Sequence, residues 1–104
     1  MALGVTTFRR TVTTAGTAVP LSTSDLFTQA YVIRALSANS GIIYVGDSSS
    51  ATSTNGMFLA AGEANEKAGS KERNGIENYF NLKNIFINSS VSGEGVIVEY
   101  LTGN

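Results

Sequence analysis

Residues 31–46 read Tyr-Val-Ile-Arg-Ala-Leu-Ser-Ala-Asn-Ser-Gly-Ile-Ile-Tyr-Val-Gly, two β-rich runs around a small polar break, Ser37-Ala38-Asn39-Ser40-Gly41. Val, Ile and Tyr suit a pleated, packed surface, while Asn and Gly tolerate the backbone angles that reverse a chain. The pattern predicts a β-hairpin with a five-residue connection. In the first run Ala30, Val32, Arg34 and Leu36 fall on one face, and Tyr31, Ile33 and Ala35 on the other. Neither face is cleanly polar. A strand of this kind needs cover on both sides, from a second sheet and then from a partner or loop.

The rest of the chain agrees with a β fold. Ser, Thr and Gly are plentiful and Lys and Glu scarce, so few good helix formers remain. At 104 residues the expectation is one domain, residues 1–104. Its class is all-β, a single-domain β-sandwich (jelly-roll-like) or small β-barrel of about six to eight strands.

Residues 4–19 form the first β-rich segment, with Phe8, Arg10, Val12 and Thr14 on one face and Thr7, Arg9, Thr11 and Thr13 opposite. Residues 1–19 are either an ordinary first strand or an N-terminal arm that pairs with a neighbour's sheet edge. Asp25-Leu26-Phe27 has the composition of one helical turn. Residues 47–56 are a polar connecting loop. Residues 62–75 hold six of the fifteen charged residues with almost no apolar content, which predicts an exposed, mobile loop carrying Glu66, Lys67, Lys71 and Arg73. Strands follow at residues 84–88 and 96–101, the last with Val96, Val98 and Tyr100 inward and Glu99 outward.

Groupings that carry chemistry are sparse. With no His and no Cys, the commonest general base, transition-metal ligand and thiol nucleophile are all missing. Ser70-Lys71 sits in wet surroundings that do not lower a lysine pKa. The acid pairs Glu63/Glu66 and Glu94/Glu99 read as solvated faces. Asp47 with Ser48 and Ser49 is a weak calcium pattern, because calcium recruits several carboxylates. No enzyme activity, cofactor or metal is expected. A net charge of −1 gives no reason to expect nucleic acid, and no apolar run is long enough to span a bilayer. The N-terminus lacks the pattern of a secretion signal.

What remains is surplus apolar β-surface. Ile33, Ile43, Ile87, Ile97 and Leu101 cannot all share one thin core, and self-association is the common remedy. Arg9, Arg10 and Arg34 either guard strand edges or, with Phe8, grip an acidic partner surface.

The order of Ile33-Arg34-Ala35-Leu36, residues 39–48, Asn55-Gly56, Leu59-Ala60-Ala61-Gly62-Glu63, residues 82–87 and residues 93–100 resembles small β-structured virion proteins of tailed bacteriophages. Ala61 stands where such proteins carry Pro before the Gly-Glu pair. The resemblance spans roughly residues 30–101. It implies a capsid decoration (cement) protein, made in the host cytoplasm and carried on the virion surface. Its partners would be the major capsid protein and itself, as a homo-trimer or homo-dimer, with neither nucleic acid nor membrane. Phe8, Arg9, Arg10 and Arg34 would lie at the capsid or subunit interface. A head fibre or carbohydrate-binding β-module, with Tyr31, Tyr44, Tyr79 and Tyr100 as its aromatics, and a neck or tail component are the alternatives.

Overall fold

The longest strands each turn one face to the core and the other outward. The computed structural model describes residues 4–68 and 79–102. In it Gly95–Thr102 (β10) buries Val96 and Val98 fully and leaves Glu99 in water. Gly4–Thr11 (β1) runs antiparallel to β10 in unbroken register, from Gly4 opposite Thr102 to Thr11 opposite Gly95. The two backbones come so close that a Cβ on Gly95 would strike the Arg10 carbonyl oxygen. Only glycine fits there.

The other strands are Val19–Pro20 (β2), Phe27–Thr28 (β3), Ala30–Ala35 (β4), Ile43–Gly46 (β5), Met57–Leu59 (β6), Ala64–Ala68 (β7), Phe80–Asn81 (β8) and Phe86–Ser89 (β9). They form two four-stranded antiparallel sheets, β1-β10-β4-β7 and β2-β9-β5-β6, with β3-β8 as a separate ribbon. The fold is all-β. Among the described residues the helical content is one short 3-10 turn, Leu82–Asn84.

With the ribbon set aside, the pairs are nested: β1 with β10, β2 with β9, β4 with β7, and β5 with β6. Successive pairs alternate between the sheets. This is one long antiparallel hairpin, with residues 47–56 at its tip, wound into two layers: the jelly-roll arrangement. Inward residues of both layers meet in a single core of Val12, Ile33, Ile43, Leu82, Ile87, Val96 and Val98, each fully buried. Each such aliphatic side chain contributes about 1.5–3 kcal/mol by leaving water.

The nesting corrects the expected hairpin over residues 31–46. Its two runs exist as β4 and β5, but they lie in different sheets, and residues 36–42 cross from one layer to the other. Both edges of β4 are taken by β10 and β7. Tyr31, Ile33 and Ala35 face the core from one layer while Ile43 and Val45 face it from the other.

Two further expectations change. Asp25-Leu26-Phe27 forms no helical turn; Phe27 opens β3, and the Leu26 N–H is held by the Asn81 side-chain oxygen at 3.1 Å. Part of the charged segment is the edge strand β7, so Glu66 and Lys67 are exposed on a strand and not in a loop. Lys71 and Arg73 lie outside the described residues. As expected, the five aliphatics do not all share one core: Ile33, Ile43 and Ile87 are buried in it. Ile97 and Leu101 stay half-buried on the outer face of β10.

Candidate functional site

Strand parity separates the four residues singled out in the sequence. On β1, Phe8 and Arg10 turn inward. The Phe8 ring meets Tyr100 edge-on at 5.9 Å, and the half-buried Arg10 donates through Nε to the Pro20 carbonyl at 2.7 Å. They lie on the flank of the sandwich between β1 and β2, where both are half-buried beside an open depression. Arg9 and Arg34 point outward and are exposed. Arg34 donates through Nη1 to the Gly62 carbonyl at 2.9 Å, which fixes the direction of its side chain.

Register brings these two arginines into one row. Arg9 lies opposite Ile97, Ile97 opposite Arg34, and Arg34 opposite Ala64. The next row on this face is Thr7, Glu99, Val32 and Glu66. A shallow open depression beside the second row is lined by Val5, Val32, Glu66, Glu99 and Leu101. Glu66 and Glu99 did not stand out in the sequence as part of a surface with the arginines. Only the pairing of β10 with β1 and β4, and of β4 with β7, aligns them.

Apolar side chains are exposed elsewhere. On β6, the outermost strand of its sheet, Met57 is 60% and Phe58 58% exposed. The Phe58 ring packs edge-on against Tyr44 at 5.3 Å. Val5, Phe27 and Tyr79 are also more than half exposed. Of the four tyrosines considered for sugar stacking, Tyr31 is in the core, where burial pushes its hydroxyl pKa up. Tyr44 and Tyr100 are half-buried and Tyr79 is exposed.

The acids of the loops have structural partners. Asp47 Oδ1 accepts from the Ser49 N–H at 2.9 Å, the Ser49 hydroxyl at 3.0 Å and the Ser50 N–H at 2.8 Å. These donors, the Ser49 amide first, bring its pKa down to about 2. The carboxylate caps its own turn, and among the described residues no three His, Cys, Asp or Glu side chains come together. Glu63 accepts from the Ala60 N–H at 2.7 Å. Glu94 holds the 36–42 crossover, accepting from the Ser40 N–H at 2.6 Å and the Gly41 N–H at 2.8 Å. The Ser40 amide, then the Gly41 amide, keep its carboxyl below the usual range.

Compared with known proteins, the chain matches no family model and no curated protein.

Proposed function

We propose that this chain is a structural virion protein, a decoration (cement) protein that docks on the outside of the major capsid protein shell, stabilises it, and associates with copies of itself. The observation that carries this reading is the β6 edge. Met57 and Phe58, 60% and 58% exposed, lie on a strand with no neighbour on its far side among the described residues. An apolar sheet edge is a template for another chain, through main-chain hydrogen bonds and side-chain burial. The jelly-roll topology, which recurs in viral capsid and lectin domains, supports the reading as fold analogy. The likeness of residues 30–101 to small phage virion proteins supplies the kind of particle.

The mechanism is linkage. A protein that binds only the assembled shell shifts assembly by RT ln(1 + [L]/Kd), about 4 kcal/mol at a thousandfold excess over Kd. Phe8 and Arg10, half-buried on the flank, and the exposed Arg9 and Arg34 would add to the capsid or subunit contact.

The test is co-sedimentation with empty shells that lack the protein. The wild-type chain should bind saturably, and Met57→Ser/Phe58→Ser should lose most of that binding while keeping its melting curve. Binding that ignores this double change removes β6 from the interface. Glycan binding with no affinity for shells overturns the proposal.

A further inference from the structure

We infer that the outer face of the β1-β10-β4-β7 sheet binds a second copy of this chain across a two-fold axis. The inference deepens the self-association part of the preceding reading. It is tested without shells, so its failure and the failure of shell binding are separate results.

Two rows of side chains cover this face. Read in a zigzag between the rows from β1 to β7, the face runs Arg9, Glu99, Arg34, Glu66, alternating in sign at every strand. Thr7, Ile97, Val32 and Ala64 occupy the squares between. Among the described residues, Arg9, Glu66 and Glu99 form no ion pair with one another or with Arg34. The face therefore presents a chequer of two cations and two anions whose strongest interactions are still to be made.

A chequer of this kind is complementary to itself in one orientation. Place a two-fold axis in the plane of contact, across the strands and midway between the rows. Each row then lies over the other row of the second copy. Arg34 stands over the partner's Val32, flanked by the partner's Glu99 and the partner's Glu66. Arg9 lies beside the partner's Glu99, and Ile97 adds its half-buried side chain to the centre. Symmetry repeats every contact. An axis along the strands would instead stack arginine row on arginine row, so the charges select the geometry. Packed sheets lie about 10 Å apart, a gap that Arg and Glu side chains bridge.

Size is consistent with a reversible dimer. Four strands at ~4.8 Å spacing and up to eight residues at ~3.4 Å give at most about 500 Å² per copy, or about 1,000 Å² in all, at the low end for specific interfaces. Contacts this polar weaken with salt, because the Debye length falls to about 3 Å at ~1 M.

Sedimentation equilibrium of the intact chain at low salt tests the inference. The expected species is a dimer that dissociates as salt is raised. Glu99→Arg, a change at an exposed position, should raise the dimer Kd at least about tenfold. Arg9→Glu, Arg34→Glu, Glu66→Arg and Glu99→Arg made together exchange every sign on the face and should restore the dimer. Matched circular dichroism spectra establish that each variant is folded. A wild-type chain that stays monomeric, forms trimers, or dimerises regardless of Glu99→Arg overturns the inference, as does a fourfold charge-exchanged variant that stays monomeric. A monomeric chain whose binding to shells is lost on Glu99→Arg assigns the face to the shell, and likewise overturns it.

Discussion

Glu94 reaches across 54 positions of sequence to Ser40, accepting its N–H at 2.6 Å and its hydroxyl at 3.0 Å through one carboxylate oxygen. The contact ties the β9–β10 turn to the crossover between the two sheets. It fastens the place where the chain departs from a simple hairpin.

Stability should therefore fall in acid. The Glu94 and Asp47 carboxyls both have depressed pKa values in the folded protein. Their contribution is fully present above the ordinary carboxylate range and is lost as pH falls through the folded values, for Asp47 between 3.8 and about 2. The urea midpoint measured against pH should drop over that acidic range. Glu94→Gln should lower the midpoint at neutral pH and flatten the acid drop, since its amide cannot receive both backbone donors.

Asn88 should be among the most sensitive polar positions. It is 5% exposed, and its Oδ1 accepts from the Gly16 N–H at 3.0 Å while its Nδ2 donates to the Ala51 carbonyl at 3.0 Å. Its Oδ1 also accepts from the Ser89 N–H at 2.8 Å, so Asn88→Leu removes three hydrogen bonds at a buried site, and the expected loss is about 2–4 kcal/mol in urea unfolding. A loss under about 0.5 kcal/mol would mean that water replaces the amide without penalty.

The two faces of the first sheet should respond differently to truncation. Ile33 is fully buried, and Ile33→Ala should cost about 2–5 kcal/mol. Ile97 is half-buried on the outer face, so Ile97→Ala should cost the isolated protein less, about 1–1.5 kcal/mol. Equal losses in dilute solution would place both residues in one core.

These contrasts mark what sequence reading reaches. The alternation of β10 and β1 was legible because each strand has one core face and one wet face, so Val96, Val98, Phe8 and Val12 declare themselves by parity. The partner of β4 was not. The break at Ser37–Gly41 does reverse the chain, but local composition cannot say whether the next strand pairs in the same sheet or crosses to the other. That choice is made by β10, some 60 residues on. The strand β7 was obscured because an edge strand tolerates charge on its open side, which makes Ala64–Ala68 look like loop. The outer-face chequer was hidden for the same reason as the pairing: its four charges come from four separated segments.

The β6 edge should also govern solubility. Met57→Ser/Phe58→Ser removes the most exposed apolar pair on a strand edge. Concentrated protein should then scatter less light and bind less of a hydrophobic dye. No change in either would mean that the edge is already covered.

An electron-microscopy map of intact virions carrying this protein tests the central claim most directly. The account predicts density for the two-layer sandwich on the outside of the shell, at junctions between capsid subunits, with β6 turned toward the shell. Density confined to the neck, tail or interior would contradict it, as would the absence of the chain from purified particles.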